Sequence, residues 1–379
     1  MESGTARKLN ITFVYLNLYH LLTNKSEAKG IGGAELQCLL VIRELARRRC
    51  EVSVITYSYG QDELQDDLPF KVLPAFKRHR RIPFLGRLSQ AFGMLRTLQQ
   101  TCSDLYCVNA GDPLLALVVM SAKLRRRQVL ARAANDVVFN VRLTSWGISN
   151  VLGRLVHFWG LRRCDFYMVQ NRTQLKLLKQ NFGKAGRIIY NGLPRKESVS
   201  SFEGDIVWVA GQLRAVKNPR MFLELARRIP RGRFVMVGGN PITQGVYSDA
   251  IAEEARCIPN VDFKGFLPFD EVEELFARAS LLVNTSEQEG FPNTFLQAWS
   301  RGIPVISTNN VDPDGLIVKH NLGKVVSDVE NLVGSVGAYL EGRLRFSADE
   351  IKAFFDKNLC IERTVDEIET LVFGDSQVR

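Results

Sequence analysis

Glu289 and Gln297 stand with seven residues between them in EGFPNTFLQAW (289–299), a spacing that sets a carboxylate and a carboxamide around the start of one helix. That helix is predicted to begin near Pro292 or Asn293, because proline is tolerated in a first turn whose N–H groups have no partner inside the helix. Those free N–H groups and the positive end of the helix dipole make a natural seat for a phosphate. Glu289 falls just outside the helix and Gln297 one turn inside it, so both can reach one ligand. The chemistry expected is recognition of a polar, phosphorylated molecule.

The elements that must hold these residues can be read around them. Leu281–Asn284 reads as a buried strand, and 285–290 as the polar, glycine-ended loop leaving it. Upstream, WVAGQLRAVKN (208–218) reads as a strand, a glycine turn and a loop carrying Gln212, Arg214 and Lys217. Near the N-terminus Gly30-Ile31-Gly32-Gly33-Ala34-Glu35 opens a helix whose Leu36, Leu39, Leu40, Ile42 and Leu45 recur at helical spacing. Its glycines let the backbone approach an anion without a Cβ in the way, and a tight turn without a ligand is the alternative. It is not the dinucleotide GxGxxG, whose third glycine would stand at Glu35. Gly238-Gly239-Asn240-Pro241 and Gly265-Phe266-Leu267 end two further strands.

Strand-like runs alternate with helix-length amphipathic stretches throughout, which argues for an α/β chain with parallel sheets and crossover helices. Seven strands are expected in the first half, near 11–16, 51–56, 71–74, 105–108, 128–133, 166–169 and 187–190, with helices near 34–48, 87–99, 113–125, 150–162 and 172–181. After Asn191-Gly192-Leu193-Pro194 the pattern restarts, with strands near 206–210, 233–237, 261–264, 281–284 and 304–307.

The segment from Glu289 to Trp299, followed by Gly302-Ile303-Pro304-Val305-Ile306, resembles the retaining glycosyltransferases of family 4. The resemblance implies the GT-B fold: two doubly wound, Rossmann-like domains facing across a cleft, here 1–195 on the acceptor side and 196–360 for the nucleotide-sugar. The last helix, about 361–379, would return to the first domain. In that reading Glu289 contacts the donor sugar, Lys217 holds the diphosphate, and Arg214 replaces an arginine that the family keeps where Gln212 stands. The departing diphosphate needs its growing charge neutralised, and one charge pair near 4 Å is worth about 4 kcal/mol at an effective dielectric near 20.

Gln297 occupies the place of the family's second acid, which grips the ribose; a glutamine keeps an acceptor but loses the charge-assisted bonds of a carboxylate. The resemblance adds Gly32, Gly33, Gly239, Phe266, Phe291, Pro292, Asn293 and Thr294 to the donor site. Asp136 stands where family members often have a histidine, and could orient an acceptor or donor hydroxyl or cap a turn. No cofactor or metal is expected, the nucleotide-sugar being a substrate. Asp312-Pro313-Asp314 is read as a turn, and no pair among the four histidines has metal-ligand spacing.

The chain of 379 residues is long enough for two domains. Seven cysteines without a CxxC pair are expected to be reduced and mostly buried. No apolar run is long enough to span a bilayer, and the N-terminus reads as a strand rather than a signal peptide, so a cytoplasmic protein, peripheral on the inner membrane face, is expected. Residues 1–200 hold 31 Lys and Arg against 14 Asp and Glu, while the remainder hold 19 against 26, so the first half is expected to meet an anionic surface. Within it, FKRHRRIPFLGRLSQAFGMLR (76–96) interleaves Lys77, Arg78, Arg80, Arg81 and Arg87 with apolar residues, a mixture suited to an anionic leaflet or to a solvated connector.

The function expected is therefore a metal-independent, hexosyltransferase-type enzyme moving a sugar from a UDP- or GDP-sugar to a saccharide, a lipid-linked acceptor or a surface-polysaccharide precursor. A nucleotide-sugar epimerase, a phosphorylase and a non-catalytic scaffold of the same fold are the alternatives. Specific nucleic-acid binding is not expected, because aromatic stacking motifs are missing.

Overall fold

The computed structural model describes residues 9–23, 32–48, 50–58, 64–65, 67–77, 84–134, 136–140, 151–198, 204–239 and 245–374, without the side chains of 84–88 and 136–137. The chain divides into two compact units, 1–27 with 33–190 and 364–379, and 28–32 with 191–363.

The first unit runs β1 (Asn10–Val14), α1 (Gly33–Arg47), β2 (Glu51–Ser58), β3 (Lys71–Lys77), α2 (Phe84–Gln99), β4 (Leu105–Asn109), α3 (Leu115–Leu124), β5 (Gln128–Arg132), α4 (Val151–Arg162), β6 (Phe166–Val169), α5 (Arg172–Phe182) and β7 (Arg187–Ile188). Its sheet has the order β3-β2-β1-β4-β5-β6-β7, parallel throughout. Helices on both faces explain why β4 reads Leu-Tyr-Cys-Val with all four buried, rather than alternating with polar residues. Leu16, expected in the first strand, instead starts a 3-10 turn, Leu16–Leu21.

At the entry to α3, the Asp112 carboxylate accepts the Leu114 N–H at 2.8 Å. Burial nevertheless pushes this carboxyl up to about 6. The folded protein thus favours the protonated acid, and stability is given up as pH rises from the unfolded value, about 3.9, through the folded one. Asp112→Asn is expected to raise the melting temperature near pH 8 and to leave it unchanged near pH 4, a comparison that thermal melts at the two pH values make directly.

The second unit runs β8 (Asp205–Val209), α6 (Pro219–Arg228), β9 (Phe234–Val237), α7 (Val246–Arg256), β10 (Val261–Gly265), α8 (Phe269–Phe276), β11 (Ala279–Asn284), α9 (Asn293–Trp299), β12 (Val305–Thr308), α10 (Leu316–Lys319), β13 (Gly323–Val326), α11 (Val329–Leu340) and α12 (Ala348–Asn358). Its sheet has the order β10-β9-β8-β11-β12-β13, again parallel, so the strand order reverses between β8 and β11. β13, GKVV, is a sixth strand that the sequence reading did not assign.

The last helix, α13 (Ile361–Phe373), closes the first unit from its Thr364 onward. Arg48, at the end of α1, bonds Asp366 at 2.6 Å and Glu369 at 2.9 Å, Arg187 of β7 pairs with Glu367, and the Thr364 hydroxyl donates to the Tyr190 carbonyl at 3.1 Å. The division falls between Tyr190 and Asn191 rather than at 195/196, because Asn191 donates to Asn293 at 3.2 Å and Leu193 pairs with Cys360 inside the second unit.

Candidate active site

In an open parallel sheet, ligands bind beyond the carboxyl ends of the strands where the strand order reverses. In the second unit that place is set by β8 and β11, paired through Ile206↔Leu281 and Val207↔Leu282. The loops leaving these strands, Gly211–Asn218 and Thr285–Pro292, hold the basic and acidic residues singled out in the sequence.

Several hydrogen bonds stitch the two loops together. The Trp208 indole donates to the Thr285 hydroxyl at 2.8 Å, and that hydroxyl lies 2.9 Å and 2.8 Å from the carbonyls of Lys217 and Asn218, to which it can donate. The Glu287 N–H donates to the Val216 carbonyl at 2.8 Å. Asn218 adopts the left-handed conformation, φ 46°, which ends the short turn Ala215–Lys217 and starts α6 at Pro219. The backbone under Lys217 is therefore fixed from β11's side.

From this base the Lys217 ammonium pairs with Glu289 Oε1, which also accepts the Ser286 hydroxyl at 2.9 Å. Both members are partly exposed, Lys217 at 25% and Glu289 at 18%. The structure thus brings together a cation and a carboxylate that lie 72 residues apart in sequence. Arg214 does not join them; its side chain is exposed, and its carbonyl accepts the Lys217 N–H at 2.9 Å. Gln212 lies half-buried in the same loop.

In the same unit, glycine-bearing exits from β9 and β10 line a cavity of about 410 Å³, bounded by Gly238, Gly239, Gly265, Phe266 and Leu213 of the loop that carries Lys217, and walled by α7. The Gly238 N–H donates to the Gly265 carbonyl at 2.9 Å, holding the exits side by side. Gly239 has φ 148°, which side-chain-bearing residues rarely adopt. The wall from α7, with Ser248, Asp249 and Glu253, was not foreseen, because on a helix those residues read as a solvated face.

Phe291 and Pro292 are buried, Pro292 caps α9, and Asn293 and Thr294 form its half-buried first turn. Gln297, in contrast, is 4% exposed and has a partner that the sequence does not announce. Its amide donates to Glu273 of α8 at 2.8 Å, while Glu273 Oε2 takes Arg301 at 2.7 Å and Lys196 at 3.2 Å. Burial pushes the Glu273 carboxyl up, but the Gln297 and Arg301 bonds and the nearby cations outweigh it and hold the group below the usual carboxylate range.

Gly32, the last residue of the 28–32 segment, and Gly33, the first residue of α1 in the first unit, are both exposed. Asp136 begins a short 3-10 turn, Asp136–Phe139, with its side chain outside the described residues. Lys77 is exposed at the end of β3; Arg78, Arg80 and Arg81, and the side chain of Arg87, lie outside the described residues. Asp312 accepts the Ile317 N–H at 2.8 Å and so caps α10. A residue the sequence reading passed over is Arg132, a buried cation ending β5, whose charge opposes the upward push of burial on the Tyr15 phenol and the Cys38 thiol.

Comparison with known proteins gives a concordant picture. Residues 204–341 match the family model described as glycosyl transferases group 1, and residues 32–193 match that of the glycosyl transferase 4-like domain. The putative glycosyltransferase YtcC of Bacillus subtilis (strain 168) is 26% identical over 168 residues, 42% of this chain and 39% of that protein. The lipopolysaccharide 1,6-galactosyltransferase of Escherichia coli (strain K12) is 30% identical over 93 residues, 24% of this chain and 26% of that protein. The matches therefore span less than half the length of either curated relative. Among solved structures, Anabaena HepE in complex with UDP and glucose superposes with a TM-score of 0.70 at 18% identity, covering 96% of this chain and 99% of that one.

Proposed function

The chain belongs to the glycosyltransferases, of the family 4 type with two Rossmann-like units, and from that premise we propose that it transfers a sugar with retention from a UDP- or GDP-sugar to a saccharide or lipid-linked acceptor. The observation that carries this reading is the Lys217–Glu289 pair at the point where the second sheet reverses its order, on a loop whose Leu213 also lines a glycine-bearing cavity. In this reading the cavity takes the nucleoside, and the diphosphate leads toward Lys217. A uridine donor is favoured by the HepE complex with UDP and glucose, and a lipid-linked or surface-saccharide acceptor by the lipopolysaccharide galactosyltransferase.

In this mechanism the bond between the sugar's anomeric carbon and the diphosphate oxygen breaks, and the electron pair leaves with the diphosphate. Lys217, with Arg214 at the other end of its turn, neutralises that charge as it grows, the kind of preorganised stabilisation that lowers barriers most. Glu289 accepts hydrogen bonds from the donor sugar's hydroxyls. The acceptor hydroxyl attacks from the side the diphosphate leaves, and a phosphate oxygen takes its proton. The scheme calls on no metal.

The test is nucleotide release from a panel of UDP-, GDP- and ADP-sugars, with EDTA present and with membrane lipid extract added or withheld. One donor is expected to dominate, to survive EDTA and to turn over faster with lipid. No release from any donor, together with no thermal shift by UDP or GDP, would overturn the reading.

A further inference from the structure

Helix α4 is turned the wrong way for a soluble helix. Its buried residues are His157, Gly160 and Leu161, while Val151, Leu152, Leu155, Val156 and Trp159 are exposed, Leu152 at 71% and Leu155 at 60%. The exposed positions follow i, i+1, i+4, i+5 and i+8, one continuous stripe along the helix. The orientation is fixed by packing: a Cβ at Gly160 would lie 2.6 Å from Cα of Ala116, so α4 lies backbone to backbone on α3. Single exposed apolar residues need no explanation, but a contiguous stripe marks an interaction surface.

The charges around the stripe identify what it meets. Helices α2, α3 and α4 contain no Asp or Glu, and from Leu68 to Cys164 the only acids are Asp104, Asp112 and Asp136. Asp104 is paired with Arg127 at 2.9 Å, and Asp112 is the group whose carboxyl burial pushes up. At one end of α4 the Arg163 guanidinium lies 4.8 Å from the centre of the exposed Trp159 ring. On α3, which packs against both α2 and α4, Leu124 is 82% exposed and is followed by the exposed Arg125 and Arg126. A second copy of the chain would bring this cationic layer against itself across a two-fold axis. An anionic lipid leaflet opposes it with negative charge and takes the apolar stripe into its headgroup and acyl boundary.

We propose that the exposed face of α4, flanked by α3, docks the protein flat on an anionic membrane surface. The apolar stripe enters the interface, with Trp159 at headgroup depth where its ring is both apolar and polar. Arg125 and Arg126, which follow α3, and the arginines of α4 contact lipid phosphates. The proposal goes beyond the sugar transfer and does not depend on it. It also moves the membrane contact to α4 from the basic segment 76–96 expected from sequence.

The experiment is flotation of the full chain with vesicles of phosphatidylcholine, with and without phosphatidylglycerol, beside light scattering of the protein alone. Binding is expected only with phosphatidylglycerol, and at least tenfold weaker for Leu152→Glu/Leu155→Glu, whose folding is checked by circular dichroism and thermal melting. Val318→Glu, at an exposed apolar position of the second unit, is expected to bind like the parent. Equal binding to neutral vesicles, no binding at all, or undiminished binding by the double variant would overturn the proposal. So would a dimer of the parent that the double variant dissociates, which would assign the face to a second copy.

Discussion

Lys217→Ala is expected to lower kcat at least tenfold, and about a hundredfold where the lysine meets the diphosphate directly, while the melting temperature moves by less than about 3 °C. A close charge pair is worth about 4 kcal/mol at an effective dielectric near 20, and the partial exposure of Lys217 reduces that to about 3 kcal/mol, roughly a hundredfold in rate. The stability effect is small because the Lys217–Glu289 pair is itself partly exposed to water. The loss belongs in kcat rather than KM, since the charge that Lys217 meets is larger in the transition state than in the bound donor. Steady-state kinetics separates the two parameters. A rise in KM alone would make Lys217 a binding residue only, and unchanged kinetics would remove it from the site.

Gln297→Glu is expected to destabilise the protein by about 3 kcal/mol near pH 8, although it installs the residue that the family pattern prefers. Gln297 donates to Glu273 at 2.8 Å, so a glutamate there would set two carboxylates together in a buried site, with Arg301 and Lys196 already engaged by Glu273. One of the two would have to hold a proton, and its folded pKa would rise above the unfolded value of about 4.3. The sign follows: near pH 5 the shared proton restores the hydrogen bond and most of the stability, and the deficit grows as pH rises through the raised pKa. The parent behaves oppositely, since Glu273 is held below its ordinary range and its contribution is lost as pH falls through the depressed folded pKa. Thermal melts of the variant across pH check this, and Gln297→Glu/Glu273→Gln is expected to recover stability at the high end. An unchanged melt near pH 8 would mean that the side chain turns away from Glu273.

Strands buried on both faces are legible as apolar runs, which is why β1, β4, β5 and β6 stand within two residues of where the sequence places them, whereas the expected β7, 187–190, shrinks to Arg187–Ile188. β13 escapes because it is four residues long, carries an exposed lysine and starts at Gly323, whose φ of 151° leaves room for a close approach of Val305 that no side chain would allow. Lys217 and Glu289 are legible because each sits in a motif with its own loop. The tie between Gln297 and Glu273 is not, since its partners are 24 residues apart and α8, FDEVEELF, reads as an ordinary amphipathic helix with a solvated acidic face. Helix α4 is misleading for the same reason in reverse: a nearly all-apolar sequence gives no sign of which stripe turns outward, and only the contact of Gly160 with Ala116 decides it.

The first unit is not one stretch of chain: it is interrupted after Tyr190 and resumes at Thr364. On the ribosome its sheet emerges first, yet the acids of α13 that pair with Arg48 and Arg187 are made only after residues 191–363 of the second unit. The second unit, synthesised later, can therefore be complete before the first. Until α13 is made, the nascent first half keeps open the place that α13 covers, and a message cut short before Thr364 would damage the domain it encodes at its other end.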